Sequence, residues 1–234
     1  MLRISGTGES HTGLVRGNNE DSAFVGPYCM LVADGVGGGA AGEVASATAT
    51  YAVAATAGLM LGEDPSAVLS AGVRLAQAQL HAGVAADPSR EGMATTLTAL
   101  VTDGRRFTLA HLGDSRGFVF RDGKLTRVTR DHTYVQDLLD LNLAPGDRVL
   151  LASDGLTDLV GEAELENTLA TRADDDAVAG LLAAALSRGG RDNITCVLAT
   201  IVDGPQINAD GMLFGAVRDT RNIVDVAAAR AESA

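Results

Sequence analysis

Four aspartates recur in one kind of setting along the chain. Asp34-Gly35 follows Leu31-Val32-Ala33, and Asp114 follows Leu109-Ala110-His111-Leu112-Gly113. Asp154-Gly155 follows Leu150-Leu151-Ala152-Ser153, and Asp192-Asn193 stands just before another apolar run. Any one of them reads as an ordinary turn aspartate, since Asp and Gly are favoured turn residues. Their repetition at strand ends suggests more. If those ends meet, the carboxylates can all stay ionised only when cations neutralise them. Oxygen donors with no His or Cys cluster nearby select Mg²⁺ or Mn²⁺ over zinc. Two such ions can share one carboxylate and polarise a water between them, giving a hydroxide near neutral pH for in-line attack on a phosphoryl group.

The elements that must place these residues follow from the patterning. Leu2 to Gly8 reads as a strand, residues 13–21 as a polar loop, and Ser22 to Val25 with Tyr28 to Ala33 as a hairpin that carries Asp34 at its tip. Gly35, Gly37, Gly38 and Gly39 then allow a turn into a helix over Ala40 to Leu61. Asp64-Pro65 is an N-cap and first-turn pair for a second helix to about Ala85, with Val68, Leu69, Val73, Leu75 and Leu80 on its buried side. Thr95 to Val101, Arg106 to Leu112, Gly117 to Arg121 and Leu125 to Val128 are strands expected to join one antiparallel sheet. Asp131 to Leu141 has the look of a helix start. A strand over Arg148 to Ala152 is expected next, then helices from about Glu162 and Asp174, a last strand over Asn193 to Val202, and a weakly patterned tail from Arg218.

Composition narrows the function. The 234 residues suit one domain. With 46% hydrophobic residues but 3% aromatics and no Trp, the core must be built from Ala, Val and Leu in close contact. The net charge of −12, from 30 acidic and 18 basic residues, disfavours a nucleic-acid partner. Cys29 and Cys196 lie in apolar runs without metal spacing, so two reduced core thiols and a cytoplasmic setting are expected. No run reaches the roughly 18 apolar residues of a spanning helix.

Six motifs, in order, resemble the metal-dependent protein serine/threonine phosphatases of type 2C, the bacterial branch in particular. They are Gly13-Leu14-Val15-Arg16 with Asn18-Asn19-Glu20-Asp21; Ala33-Asp34-Gly35-Val36-Gly37-Gly38 with Ala41-Gly42-Glu43; Gly92-Met93-Ala94-Thr95-Thr96; His111-Leu112-Gly113-Asp114-Ser115-Arg116; Ser153-Asp154-Gly155-Leu156; and Arg191-Asp192-Asn193. The resemblance implies an α+β fold, a four-layer α-β-β-α sandwich of two mainly antiparallel sheets flanked by helices. It places a catalytic domain at residues 1–203 and leaves 204–234 as an extension or tail. It implies two Mn²⁺ or Mg²⁺ ions, with Asp34 bridging them, the Gly35 carbonyl on one, and Asp154 and Asp192 on the other. Glu20 and Asp21 would act through water, Asn193 would orient the ligands, Arg16 would bind the substrate phosphate, and Asp114 would serve a third ion. Thr95 and Thr96 would line the site. Phosphorylated proteins are the implied partners, with a serine/threonine kinase supplying them, and the chain is expected to be a monomer.

Two departures from the family pattern bear on function. The family's flap, which typically brings a further aspartate for the third ion, lies between the Thr129-Arg130-Asp131-His132 region and the Ser-Asp-Gly motif. Here Leu139-Asp140-Leu141-Asn142-Leu143 runs straight into Ala144-Pro145-Gly146-Asp147, so the flap is absent or nearly so. Relatives that carry a His beside the Asp-Gly motif or at the end of the glycine run are matched here by Val36 and Gly39. No general acid is assigned, and His11, His111 and His132 remain the candidates. Two alternatives stand beside the leading reading. One is a catalytically impaired phosphatase-fold module that binds phosphoproteins or a partner. The other is an esterase with Ser115 as nucleophile, which would need an Asp-x-x-His pair late in the chain, whereas no His follows His132.

Overall fold

The computed structural model describes residues 1–36, 41–204 and 211–224, with the backbone alone at 132–137 and 220. The described residues form twelve strands: β1 (Leu2–His11), β2 (Asp21–Val25), β3 (Cys29–Val36), β4 (Ala94–Thr95), β5 (Leu97–Thr102), β6 (Phe107–Gly113), β7 (Arg116–Arg121), β8 (Lys124–Arg127), β9 (His132–Leu141), β10 (Arg148–Ala152), β11 (Ile194–Asp203) and β12 (Met212–Gly215). Five helices accompany them: α1 (Gly42–Leu59), α2 (Pro65–Ala86), α3 (Asp154–Thr157), α4 (Glu162–Thr171) and α5 (Asp174–Ser187).

The strands form two antiparallel sheets, ordered β1-β11-β10-β7-β8 and β12-β2-β3-β5-β6-β9, with β4 paired to β3. Strand periodicity explains the layering, because successive side chains leave a strand on opposite faces. Val197, Ala199 and Ile201 of β11 point inward with Val149 and Leu151 of β10. There they meet Met30, Val32, Leu100 and Leu109 from the facing sheet. The alternate residues Cys196, Leu198, Leu150 and Ala152 face outward onto Leu165, Leu169, Val178 and Leu181 of α4 and α5. Leu31, Ala99 and Val101 likewise face out onto Val53, Ala57, Val68 and Leu69 of α1 and α2. The central strands are therefore covered on both faces, which is why they read as continuous apolar runs. The result is the four-layer α-β-β-α sandwich that the sequence led us to expect. Both cysteines are buried and unjoined, and burial pushes each thiol up to about 12.

Several local expectations hold, and others need correction. Asp64 caps α2 by accepting from Ser66 N–H and Ala67 N–H at 3.0 and 3.1 Å. Leu75 is 43% exposed rather than buried. The buried stripe of α2 instead uses Gly72 and Ala76, small residues that let α2 approach Val53 of α1 closely. The four strands between Thr95 and Val128 do not share one sheet. β5 and β6 stay in one, and Gly113-Asp114-Ser115 carries the chain across to β7 and β8 in the other. Residues 132–141 form a strand, not a helix start. The edge of β6 supplies the pairing partner, and period-two patterning is visible at Leu139 and Leu141, which pack on the core while Leu138 is exposed. β3 does not stop at Asp34 but continues to Val36, where Gly35 and Val36 pair with β4. The glycine turn expected at 37–39 lies outside the described residues.

Residues 211–224 pack against the sandwich. β12 adds an edge to β2, and Val217 and Val224 are buried, the latter against Val44 and Met93.

Candidate metal and phosphate site

Strand register brings the site together. Asp21 and Asp34 face each other across β2 and β3, and Leu97 faces Leu112 across β5 and β6. In the other sheet Ala152 faces both Cys196 and Arg116, and His11 faces Ile194. All these pairs lie at one end of the sandwich. That end opens into a cavity of about 610 Å³ whose lining includes Arg16, Glu20, Asp34, Asp114, Asp154 and Asp192. Gly35, Thr95, Thr96 and Asn193 also line it.

Two glycines are required by close approach, not by turn geometry. A Cβ on Gly35 would lie 2.2 Å from the Gly42 carbonyl oxygen, so only glycine lets the start of α1 press on β3. A Cβ on Gly155 would lie 1.9 Å from the Asn193 carbonyl oxygen, which locks the Asp154 turn against the Asp192-Asn193 loop. Asn193 then holds the polar loop of residues 12–20. Its Nδ2 donates to the carbonyls of Thr12 and Asn18, both at 2.9 Å, and its Oδ1 accepts from Glu20 N–H at 2.8 Å. Arg16, carried on that loop, donates to Asp192 Oδ2 at 2.7 Å. Asp192 holds the Arg16 guanidinium even more firmly in its charged form.

The carboxylates strain one another. Burial first, then the charges of Asp21, Asp154, Asp192 and Asp114, pushes Asp34 up to about 9. Asp21 is wholly buried and pushed up to about 7, mainly by burial, although the neighbouring Thr195 and Ser153 oppose the shift. Asp154 is raised by burial and then by Asp114 and Asp192, while its bond with Asp34 pulls the other way. Asp21 Oδ2 accepts from Ser153 at 2.8 Å, whereas its buried Oδ1 has no hydrogen-bond partner. A cluster that holds protons this tightly, with an orphaned carboxylate oxygen beside it, is chemically suited to divalent cations. Among the described residues no group of three His, Cys, Asp or Glu side chains is already gathered to hold an ion alone. The donors that line the cavity are oxygens, which suits Mg²⁺-like ions that keep several waters and take only one or two carboxylates each.

The other expected residues fall out as follows. Thr96 Oγ1 accepts from Asp34 N–H at 2.9 Å, and Thr95 Oγ1 donates to the Asp34 carbonyl at 2.9 Å, so both threonines fix the aspartate backbone. Glu20 faces the start of α1. Asp114 is an exposed residue on the cavity wall. The connection between β9 and β10 is only residues 142–147, and it leaves β9 where Leu141 faces Phe107, at the opposite end of the sandwich from the cavity. Its Asp147 is bound to Arg121 and Ala144 N–H. It therefore brings no carboxylate to Asp114. His111 is 1% exposed and satisfied, with Nδ1 at 3.0 Å from Thr98 Oγ1 and Nε2 at 3.0 Å from the Arg130 carbonyl. His11 Nδ1 accepts from Gly13 N–H at 2.8 Å, and the His132 side chain lies outside the described residues. Ser115 is fully buried against Thr96, which removes it as an esterase nucleophile.

Sequence reasoning assigned no role to Ser153, which bonds Asp21 and also accepts from Thr195 N–H at 3.0 Å. It likewise gave none to Ser46, whose hydroxyl donates to the Glu20 carbonyl. A small polar residue in an apolar run was the available signal.

Comparison with known proteins agrees with this geometry. A family model described as protein phosphatase 2C matches residues 8–138, and the chain belongs to that family. The serine/threonine protein phosphatase PstP of Mycobacterium tuberculosis is 38% identical over 260 aligned positions, covering 96% of this chain and 51% of its own length. The chain thus spans about half of that relative, and the alignment contains many positions with no counterpart here. A crystal structure of the PstP catalytic domain in complex with 2 manganese ions superposes with a TM-score of 0.82 at 37% identity, covering 87% of this chain and all of that one. The serine/threonine phosphatase stp of Listeria welshimeri is 29% identical over 80% of this chain and 91% of its own length. Among the described residues no helix is long and apolar enough to cross a membrane.

Proposed function

We propose that this chain is a Mn²⁺- or Mg²⁺-dependent phosphatase of phosphoserine and phosphothreonine in proteins. The observation that carries the reading is the gathering of Asp34, Asp154 and Asp192 with Arg16 around one cavity, where burial and then the neighbouring charges disfavour the ionised form of Asp34, an environment that suits cations. Asp34 would serve both ions, with the Gly35 carbonyl on one and Asp154 and Asp192 on the other. Bound there, the ions supply Lewis acidity and lower the pKa of a water so that it can attack a phosphoryl group near neutral pH.

The chain's own residues do the rest. Arg16 engages Asp192 through one nitrogen, and a guanidinium with five N–H groups keeps donors to orient the phosphate. Thr95, Thr96 and Asn193 fix the backbones that carry Asp34 and Glu20. Asp21, behind Asp34, stabilises the loop through Ser153. Exposed Val36 on the cavity wall, with exposed Leu14 and Val15 preceding Arg16 in the chain, suits a polypeptide substrate. A serine/threonine kinase must produce that substrate.

The retention of every two-ion ligand favours an enzyme over a phosphoprotein-binding module. Hydrolysis of a small aryl phosphate and of a phosphothreonine peptide, with Mn²⁺ and with chelator, tests the reading. Turnover that needs Mn²⁺ and disappears in Asp34→Asn supports it. Turnover that survives both treatments sinks it, and tight phosphopeptide binding without turnover in Mn²⁺ selects the module.

A further inference from the structure

A chain of hydrogen bonds links the C-terminal segment to the cavity. Val217 N–H donates to Ser22 Oγ at 3.1 Å, Ser22 Oγ lies 3.0 Å from Ser46 Oγ, and Ser46 Oγ donates to the Glu20 carbonyl at 2.5 Å. The direction is fixed by chemistry. A carbonyl only accepts, so the Ser46 proton points at Glu20, and Ser46 must accept from Ser22, whose own lone pair takes the Val217 N–H. Ser22, Ser46 and Val217 are all fully buried. The neighbouring backbone is equally tight, since a Cβ on Gly215 would lie 2.2 Å from the Asp21 carbonyl oxygen. Glu20 is thereby held from two sides, by Asn193 at its N–H and by Ser46 and Gly35 N–H at its carbonyl.

We propose that residues 211–224 complete the metal site, acting through Ser22 and Ser46 as positioning residues that set the backbone of Glu20. The proposal rests on the metal-dependent reading above. Residues that orient ligands from behind commonly change metal affinity 10- to 100-fold. Because coupling is reciprocal, metal binding should in turn steady the Val217 amide.

The test uses the full chain and reads Mn²⁺ binding by calorimetry, with melting temperature in chelator as the measure of folding. Ser46→Ala should weaken Mn²⁺ binding about tenfold. Ser22→Ala should weaken it less, since Ser46 keeps its own bond, and the double variant should bind no more weakly than Ser46→Ala alone. Ser22→Thr keeps the hydroxyl and should bind Mn²⁺ more tightly than Ser22→Ala, while its added methyl in a fully buried position shows in the melting temperature. Mn²⁺ should slow hydrogen exchange at Val217 in the wild type and not in Ser46→Ala. Wild-type Mn²⁺ affinity in Ser46→Ala, whatever its melting temperature, overturns the relay alone. Failure of the wild type to bind Mn²⁺ overturns the metal-dependent reading and the relay with it.

Discussion

Asp34→Asn should stabilise the protein in chelator while abolishing turnover. In the folded chain Asp34 holds its proton up to about 9, against about 4 for an ordinary aspartate. Between those values the folded state keeps a proton that the unfolded chain has lost. Stability therefore falls as pH rises through this window. One retained proton is worth about 1.4 kcal/mol per pH unit, so from pH 6 to pH 8 the wild type loses on the order of 3 kcal/mol through Asp34. Asparagine loses nothing at that position. For a chain of this size, 3 kcal/mol corresponds to roughly 6–12 °C in melting temperature. Thermal melts of both proteins in EDTA at pH 6 and pH 8 read the effect directly. The variant should gain on the wild type as pH rises, and saturating Mn²⁺ should reverse the order by stabilising the wild type. Parallel pH dependence in the two proteins would refute the claim that folding holds a proton on Asp34.

Three other outcomes follow from named contacts. Gly35→Ala should destabilise the chain by at least about 2 kcal/mol, an overpacking effect on backbone that cannot yield, and should eliminate turnover; melts and phosphatase assays check it. Gly58→Ala, in the exposed part of α1 with nothing near the added methyl, should instead raise stability by about 0.5–1 kcal/mol. Bonds from Arg121 and Ala144 hold the Asp147 carboxyl below the usual range against the opposing effect of burial. Its contribution is present above the ordinary carboxylate value and lost as pH falls through the lower folded value, so Asp147→Asn should flatten the acid limb of a stability curve.

Much of the fold was legible because patterning and turn chemistry agreed. Asp64-Pro65 announced α2, and the apolar runs around Leu31, Leu150 and Cys196 announced strands covered on both faces. The aspartates were legible because each followed such a run. What escaped had physical reasons. Residues 131–141 carry a leucine-rich pattern that suits a helix, and only the open edge of β6 makes them a strand. The split of β5–β6 from β7–β8 is made by a crossing at Gly113-Asp114-Ser115 that resembles any hairpin turn. Gly35 looked like turn chemistry, yet what it serves is contact with Gly42. Ser46 and Ser153 stand out locally only as small polar residues in apolar runs, and their partners are distant in sequence.

The short β9–β10 connection lies at the opposite end of the sandwich from the proposed two-ion site. Every proposed two-ion ligand comes from the end of the sandwich where β3 ends, β10 turns into α3, and β11 begins. The residues that hold those ligands, Asn193, Thr96 and Ser153, sit at the same end. The β9–β10 connection leaves from the far end, where Leu141 pairs with Phe107 and Asp147 closes the turn on Arg121. Shortening it removes nothing that Asp34, Asp154 or Asp192 touches. Its one carboxylate, Asp147, is turned to Arg121, and Asp114 stays exposed on the cavity wall. Mn²⁺ titration followed at more than two equivalents should thus show two binding events and no third, and Asp114→Ala should leave both unchanged. A third event lost in Asp114→Ala would mean that a ligand outside the described residues reaches the cavity after all.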